Sequence, residues 1–420
     1  MDDQLEIEHK KQPGATRGIQ RTFRALSYPN YKLWFGGQVI SLFGTWMQST
    51  AQGFLVYEIT HSPAYLGYVA FAAGIPTLLF TLIGGVISDR IPRRSLLIIT
   101  QSTMMVLAVI LAGLTFSGAI QAWQIIILAF LLGTTNAFDS PARLALAPEL
   151  VDRQDLTNAI ALNATMFNIA TIIGPAAAGF IYAALGPGWC FLLNGLSFIA
   201  VIAALMLMKL PKQQEKIHQV AVAKELWEGI QYVTHERKVL SLISLIGITG
   251  LFGFSFVTLF PAWSVEILGG GVETNGILMS ARGVGALVAA LGIASLGKIN
   301  FRGKLLTFGT FLGPILMFLF SLISWLPLTL IVLMGIGGAM ILIVNLVNAL
   351  IQIHVADELR GRVMSIYSLI FFGSMSLGSL IIGGIANVFN ERSALFFGSA
   401  ALLISAFFFW FFVPTVRKME

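Results

Sequence analysis

Residues 63–116 read PAYLGYVAFAAGIPTLLFTLIGGVISDRIPRRSLLIITQSTMMVLAVILAGLTF, and this stretch decides the fold. Two apolar runs, 63–88 and the run that begins at 95, flank the charged turn Asp89-Arg-Ile-Pro-Arg-Arg94. Each run is longer than the roughly 20 residues with which an α-helix crosses the core of a bilayer. The stretch therefore predicts a hairpin of two membrane-spanning helices joined by a short charged turn.

The rest of the chain repeats this pattern. The 420 residues are 56% hydrophobic and 11% charged, whereas a soluble domain carries roughly 25% charged residues. The runs are continuous and do not show the alternation of a transmembrane β-barrel. They predict an all-α membrane protein with twelve transmembrane helices, at 33–57, 63–88, 95–118, 121–141, 157–184, 188–209, 239–265, 274–297, 304–324, 326–353, 363–387 and 393–413.

The basic residues indicate how the chain lies in the membrane. With both termini inside, 24 of the 26 Lys and Arg residues fall in tails and loops on the inner side. Arg282 and Arg392 are the other two, and the predicted outer loops carry acidic residues. The positive-inside rule thus predicts an N-in, C-in topology. We expect the inner or plasma membrane of a bacterium as the location. The net charge of +6 reflects this orientation and not a nucleic-acid partner.

An internal repeat divides the chain into two six-helix bundles related by pseudo-symmetry. A shift of 209 positions superposes Glu149-Leu150 on Glu358-Leu359 and Arg93 on Arg302. A polar stretch between the halves contains apolar residues at three- and four-residue spacing, which predicts an amphipathic helix at the membrane surface. The predicted parts are a cytoplasmic tail 1–32, a bundle 33–210, a linker 211–238, a bundle 239–413 and a cytoplasmic tail 414–420.

The turn after the second helix carries a motif. Gly85-Val-Ile-Ser-Asp89-Arg90-Ile-Pro92-Arg93-Arg94 resembles the G-x3-D-R-x-G-R-R loop of the major facilitator superfamily, with Pro92 in place of the last glycine. The resemblance implies a latch that favours the outward-open state. We expect Gly85 to allow close helix contact and Arg93 to pair with Asp139 on the fourth helix. Inside-positive charge is the simpler alternative. The predicted latch residues are Gly85, Asp89, Arg90, Arg93, Arg94, Asp139 and Arg143.

The fifth helix contains a second motif, in which small residues surround Gly174-Pro175 and Gly179. It is similar to the exporter and antiporter motif of the same superfamily, with three glycines replaced by alanine. Small residues allow close packing on a neighbouring helix, and Pro175 permits a bend. We therefore add Gly174, Pro175 and Gly179 to the predicted gating residues. Ordinary membrane-helix packing is the alternative explanation.

A wider set of segments, among them Gly44-Thr-Trp-Met-Gln48, Asn136-Ala-Phe-Asp-Ser-Pro-Ala-Arg143 and Arg360-Gly-Arg-Val-Met-Ser365, resembles the enterobactin-exporter and macrolide-efflux branch of the superfamily. The resemblance implies a secondary transporter that exports a small amphipathic organic molecule, drug-like or a siderophore, in exchange for protons by rocker-switch alternating access. A proton-coupled uptake symporter remains an alternative. A membrane sensor or assembly partner that does not transport is a second alternative.

Polar residues inside the helices give the candidates for the substrate or proton path. Arg282 lies about eight residues into the eighth helix, where a charge is costly enough to predict a function. It could bind an anionic substrate group or respond to proton movement, and an outward-snorkelling ion pair is the alternative. The other candidates, for which hydrogen bonding between helices is equally possible, are Gln48, Gln52, Asn163, Asn168 and Asn345.

Several classes of function lack a sequence signal. Cys190 is the single cysteine and the five histidines form no cluster, so we predict neither a cysteine-based metal site nor a disulfide. The sequence contains no G-x4-G-K-[ST] phosphate-binding loop, and no nucleophile, base and acid occur together. We therefore expect no cofactor, no enzymatic activity, protons as the coupling ion, a lipid bilayer as the surroundings, and a monomer.

Overall fold

A computed structural model describes residues 23–209, 222–295 and 301–417. Within these residues the chain forms twelve long helices, which we number in chain order. They are α1 (Pro29–Thr60), α2 (Pro63–Arg90), α3 (Arg93–Phe116), α4 (Ala122–Leu146), α5 (Leu156–Leu185), α6 (Pro187–Leu207), α7 (Arg237–Ile267), α8 (Val272–Ser295), α9 (Arg302–Leu322), α10 (Leu326–His354), α11 (Asp357–Val388) and α12 (Glu391–Phe412).

Eleven helices of the described residues are long and apolar enough to cross a membrane. The remaining one, α1, has 32 residues and more polar side chains along its length. Each of the twelve predicted runs overlaps one helix, and the predicted all-helical membrane fold is confirmed. Short turns join consecutive helices, as at Pro92 between α2 and α3. Proline has no amide hydrogen, so it suits the start of a helix, where the first amide donors have no partner within the helix.

The two groups of six helices pack in the same way. In the first group α1 packs on α5 and α6, α2 packs on α4, and α3 packs on α4 and α6. In the second group α7 packs on α11 and α12, α8 packs on α10, and α9 packs on α10 and α12. Each of these contacts in one group thus has a counterpart six helices later, as the repeat in the sequence predicts. We call these groups the N-half and the C-half.

The halves meet along two helix pairs, α2 with α11 and α5 with α8. We call the end of the bundle where α1 begins and α12 ends the terminal end, and the opposite end the distal end. Two buried apolar clusters lie at the terminal end, and each is built from one half alone. At the distal end one cluster contains N-half residues together with Ala262 and Val272 of the C-half, and a second cluster beside it is built from the C-half alone. The apolar cores of the halves therefore join at the distal end only.

Helix α7 is irregular along its second half. After the α-helical turns of Arg237–Ile248 come a π-helical segment, Thr249–Phe254, and a 3-10 segment, Ser255–Leu259. A second π-helical segment, Trp263–Ile267, ends the helix. Such segments occur in membrane proteins where protein surrounds the backbone. In α7 the segment beside α11 is covered closely, because a β-carbon at Gly378 would clash with the carbonyl of Leu251.

A short amphipathic helix, Val222–His235, precedes α7, and we call it the linker helix. Its Glu228 forms an ion pair with Arg362 of α11 at 2.5 Å, and Val233 belongs to the terminal-end cluster of the C-half. Trp227 on its other side is 67% exposed. The predicted amphipathic helix is therefore present and is attached to the C-half. The rest of the linker lies outside the described residues.

Candidate functional site

The contact between the halves at the distal end is made by small residues, and we call it the distal seam. A β-carbon at Gly67 of α2 would lie 2.7 Å from the carbonyl oxygen of Ser379 in α11. On the other side a β-carbon at Gly276 of α8 would lie 2.5 Å from the carbonyl oxygen of Pro175 in α5. Gly67 and Gly276 are separated by the 209 positions of the repeat. The seam thus has two equivalent sides, and each needs a glycine for helix backbones to touch.

Hydrogen bonds reinforce the distal seam. The hydroxyl of Ser62 donates to Oδ1 of Asn387 at 2.7 Å, across α2 and α11. The hydroxyl of Ser280 donates to the carbonyl oxygen of Ile172 at 2.6 Å, across α8 and α5. In the described residues, these bonds lie in the first part of α2 and α8 and the last part of α5. Among the described side chains, no such bond joins the terminal halves of these helices across the two halves.

A carboxylate also bridges the halves. The hydroxyl of Tyr57, near the end of α1, donates to Oε1 of Glu266 in α7 at 2.7 Å. Tyr182 of α5 donates to the neighbouring Glu58, and Glu391 lies at the start of α12 with its side chain largely buried. We call the Tyr57–Glu266 bond the distal clasp. From the sequence, Glu58 and Glu266 are outer-loop acids and candidate carboxylates for proton movement, and no pattern pairs either residue with a tyrosine.

The predicted gating residues of α5 lie at contacts. A β-carbon at Gly174 would lie 2.5 Å from the β-carbon of Trp46 in α1. One at Gly179 would lie 3.0 Å from the α-carbon of Glu273 in α8. Pro175 is buried and its carbonyl faces Gly276. The small face of α5 therefore packs on α1 within the N-half and on α8 across the seam, and Leu156–Leu185 remains one helix around Pro175.

At the terminal end the predicted latch residues contact other groups than expected. Arg93 forms an ion pair with Glu149 and donates to the carbonyl oxygen of Ala145 at 3.2 Å. Arg94 donates to the carbonyl oxygen of Met206 at 2.7 Å, which satisfies an unpaired carbonyl at the end of α6. Arg90 is exposed. The side chain of Asp89 lies outside the described part of the structure.

Two expectations for this turn are wrong. Gly85 has open space around it, whereas a β-carbon at the preceding Gly84 would clash with the carbonyl of Ala137 in α4. One residue along a helix is a rotation of roughly 100°, and that rotation decides which glycine meets the neighbour. Arg93 does not pair with Asp139, because the acid that reaches it follows α4 and lies on the 3-10 turn Ala147–Leu150.

Asp139 is instead the centre of a buried network inside the N-half. Its side chain is 1% exposed, and its Oδ1 accepts hydrogen bonds from Thr100 at 2.8 Å and Gln101 at 2.9 Å, both on α3. Nε of Arg143, one turn along α4, lies 3.5 Å from its Oδ2. A buried carboxylate needs such partners. Thr100 and Gln101 were missed in the sequence, since a polar pair inside an apolar run does not reveal its partner.

Removal of the Asp139 carboxylate is expected to destabilise the N-half. Asp139→Leu leaves the Gln101 amide buried without its acceptor, whereas the Thr100 hydroxyl can turn to the carbonyl oxygen of Leu97 at 3.1 Å. Loss of one buried partner costs about 1–3 kcal/mol. We expect a clearly lower midpoint of thermal unfolding in detergent, measured by tryptophan fluorescence. Glu149→Gln is the matched control, because Glu149 is 48% exposed and a surface ion pair contributes about 0–1 kcal/mol. Equal midpoints for the two variants would contradict the assignment.

A polar stripe runs along α1. Its residues recur at three- and four-residue spacing and so share one face of the helix; they are Gln38, Ser41, Thr45, Ser49 and Gln52. Thr45 and Ser49 are exposed. One turn beyond Ser49, a β-carbon at Gly53 would lie 3.7 Å from Pro261 of α7, so this face is turned toward the C-half. The stripe thus lines the space between the halves on the terminal side of the distal seam.

The predicted path residues divide into two kinds. Gln48 is 4% exposed and accepts a hydrogen bond from Asn194 of α6 at 2.7 Å, so it bonds two helices of the N-half together. Asn163 accepts a long hydrogen bond, 3.4 Å, from the hydroxyl of Tyr31. Asn168 bonds the carbonyl of its own helix at Ala164. For these three amides, helix bonding accounts for the contacts.

Gln52, Asn345 and Arg282 keep free hydrogen-bonding capacity. Gln52 belongs to the polar stripe, and its amide makes no hydrogen bond within the described residues. Asn345 on α10 is half-buried. Arg282 on α8 is half-buried as well, and its Nε is enclosed without a hydrogen-bond acceptor. Within the described residues, no group of three or more His, Cys, Asp or Glu side chains could hold a metal ion.

Comparison with known proteins identifies the class. The model of the transmembrane secretion effector family, within the major facilitator superfamily, matches residues 21–420. The chain belongs to this family. Its fold is also that of a solved nucleoside transporter, with a TM-score of 0.70 at 13% identity over 94% of this chain and 100% of that one.

Named relatives are bacterial transporters. The Staphyloferrin A transporter of Staphylococcus aureus is 30% identical, over 93% of this chain and 98% of that protein. The multidrug efflux pump Tap of Mycolicibacterium fortuitum is 27% identical, over 87% and 91%. Macrolide efflux protein A of Streptococcus pyogenes is 23% identical, over 94% and 99%. The chain is accordingly a multi-pass transporter of the bacterial plasma membrane and not an enzyme, as the sequence predicts.

Proposed function

We propose that this transporter exports a small amphipathic organic molecule in exchange for protons, by rocker-switch alternation of its halves. One observation carries the proposal: at the distal end an apolar cluster contains residues of both halves, while at the terminal end each cluster is built from one half alone. Such an arrangement leaves a central space that opens at one end. Alternating access requires this state and its mirror state, related by rocking one half on the other.

The orientation follows from the charges. The positive-inside rule puts the terminal end, with its Lys- and Arg-rich turns, in the cytoplasm. The polar stripe of α1 is then reached from the cytoplasm, while the distal seam closes the outside. A molecule taken up along Thr45 and Ser49 leaves when the seam opens.

Export is favoured over uptake by two observations. The relatives include a multidrug efflux pump and a macrolide efflux protein. The small-residue face of α5, which resembles an exporter motif, lies at the seam against α8. A seam of small residues without bulky interlocking side chains separates at low cost when the halves rock.

The distal clasp offers a route for proton coupling. Glu266 is exposed at the outer end and accepts from Tyr57 of the other half. Around the clasp lie Glu58 with Tyr182, Glu391 at the start of α12, and His61, whose ring stands at 6.1 Å from that of Tyr57. A hydrogen bond to an ionised carboxylate is about twice as strong as one to a neutral acceptor. A proton taken up from outside by Glu266 therefore loosens the closed end.

Neutralising Glu266 is expected to open the distal end. In a Cys190→Ala background, a cysteine at Ser376, which is buried against Gly74, reports on opening. We expect Glu266→Gln to raise its labelling by a membrane-impermeant thiol reagent several-fold and to remove the increase that external acid produces in the parent. Glu273→Gln, an exposed acid at the same end, is the control. Identical labelling of Glu266→Gln and the control at every pH would exclude the clasp as the proton-sensitive element.

Everted membrane vesicles test the function itself. Erythromycin is the first probe, followed by compounds that a parent strain releases into the medium and a deletion strain does not. Proton-driven accumulation in everted vesicles, abolished by nigericin, supports export. Accumulation only in right-side-out vesicles would show an uptake symporter. A deletion strain with an unchanged medium, together with vesicles that move none of the compounds, would favour a sensor or assembly partner.

A further inference from the structure

Arg282 lies on the inner side of α8. It packs on α10, where its Cγ would be 3.2 Å from a β-carbon at Gly337. The exposed apolar residues of α8, such as Ile277 and Val288, lie on another face, with Ile277 roughly 140° away around the helix axis. The guanidinium is therefore not directed to the lipid, which removes the snorkelling ion pair as an explanation.

No described carboxylate neutralises this cation. Glu58 and Glu266 accept from tyrosines, and Asp139 is held by its network in the N-half. Glu273, on the same helix, is nine residues away, which is about 13 Å along the axis. Nε of Arg282 is buried without an acceptor. A charge held within an apolar helix without an acidic partner is costly, and proteins keep such charges where a partner arrives during function.

The repeat shows that this cation is peculiar to the C-half. A β-carbon at Gly133 in α4 would clash with the carbonyl of Ala73, and one at Gly337 in α10 would clash with the carbonyl of Arg282. Ala73 and Arg282 are 209 positions apart and so correspond in the repeat, and each meets a glycine of the neighbouring helix, although Gly133 and Gly337 are 204 positions apart. The N-half needs only alanine at this helix crossing. The arginine is therefore not required by the packing of the fold.

A second departure from the repeat lies two turns nearer the distal end. Asn275 corresponds to the buried Leu66, is 0% exposed, and has no hydrogen-bond partner for either side-chain polar atom. Seven residues separate Asn275 from Arg282, so the two share one face of α8, about 10 Å apart along the axis. The C-half thus holds two unsatisfied polar groups in a line toward the distal end, where the N-half has leucine and alanine.

From this geometry we infer that the transported molecule is an organic anion whose carboxylate binds Arg282, with Asn275 as the next polar contact on the way out. The planar guanidinium matches the two oxygens of a carboxylate through two parallel hydrogen bonds, as it also matches those of a phosphate. Asn275 becomes accessible when the distal seam opens. The inference rests on the proposed export function and names the chemical class of its substrate.

Binding to purified protein tests the inference without transport. In neutral detergent free of anionic lipid, we expect citrate and benzoate to raise the midpoint of thermal unfolding, and the uncharged benzamide to leave it unchanged. Arg282→Gln should weaken the apparent affinity for these anions about 30-fold or more, while Arg282→Lys retains part of it. Arg392→Gln removes an exposed arginine at the start of α12 and is the matched control.

The midpoint without ligand separates a binding role from a structural one. If Arg282 awaits a ligand, Arg282→Gln removes a half-buried charge that has no acidic partner among the described residues, and its midpoint equals or exceeds that of the parent. A lower midpoint would show a structural ion pair and overturn the inference, as would an equal response to citrate in Arg282→Gln or no response in the parent. Anion binding without transport in vesicles would remove the proposed function alone. Vesicle transport that Arg282→Gln leaves intact would remove the inference alone.

Discussion

A covalent bridge between Ser62 and Asn387 is expected to stop transport completely. Their side chains form a 2.7 Å hydrogen bond across the distal seam, so cysteines at both positions lie within reach of a short thiol cross-linker. Because α2 and α11 belong to different halves, the bridge holds the distal end closed. In a Cys190→Ala background, we expect vesicle transport to be lost after cross-linking and restored by dithiothreitol.

A bridge inside one half is the control. Thr258 of α7 and Ser379 of α11 form a 2.9 Å hydrogen bond, and both belong to the C-half. If each half moves as a unit, cysteines at these two positions can be cross-linked with little loss of transport. Full activity of the cross-linked Ser62–Asn387 pair would show that the distal seam stays closed throughout the cycle, and rocking of the halves would have to be abandoned.

A large side chain at the distal seam is expected to hold the distal end open, whereas the cross-link holds it closed. Both changes are expected to reduce transport. A leucine at Gly67 would place its β-carbon 2.7 Å from a backbone oxygen of α11, and one at Gly276 would meet the backbone of α5 at 2.5 Å. Overpacking of this kind costs about 1–3 kcal/mol. The closed distal end is then disfavoured, and we expect transport to fall on the order of 100-fold at the upper limit of that cost, at 1.4 kcal/mol per factor of ten.

The same variants should leave the distal end open to reagents. A cysteine at Ser376 is expected to react faster in Gly67→Leu and Gly276→Leu than in the parent. A normal midpoint of thermal unfolding in these variants shows that the faster labelling does not come from misfolding. Gly113→Leu is the control, because its β-carbon would meet nothing within 4 Å. Slow labelling in both seam variants would mean that the glycines do not set the closed state.

The sequence predicted the helices well because the bilayer imposes their length. The first run, 33–57, lies within the observed Pro29–Thr60, and the eleventh, 363–387, lies within Asp357–Val388. Most residues beyond the ends of these runs are polar, and α1 begins with a proline. Hydropathy therefore excludes these residues from the predicted runs, although the helices continue through them. The repeat of 209 positions also relates the two sides of the distal seam, because it superposes Gly67 on Gly276.

The partners of polar residues could not be predicted in the same way. A helix that is apolar on most of its surface gives no periodic signal for its orientation about its axis, and a rotation of roughly 100° separates neighbouring residues. For this reason it is Gly84, and not the predicted Gly85, that contacts α4. Likewise Gln48 forms a hydrogen bond with Asn194 and does not face the central space. Arg282 was predicted to be functional because a charge inside an apolar helix costs free energy. That argument identifies the residue but does not predict its neighbours.

The mixture of helix types in α7 allows this helix to change its length. In a 3-10 helix each residue advances about 2.0 Å along the axis, against about 1.5 Å in an α-helix. Conversion of the five residues Ser255–Leu259 to α-helix would shorten α7 by about 2.5 Å while nearly every amide kept a carbonyl partner. The π-helical segments on both sides can absorb the change of pitch. Helix α7 can therefore shorten or lengthen inside the bilayer without exposing polar backbone groups to hydrocarbon.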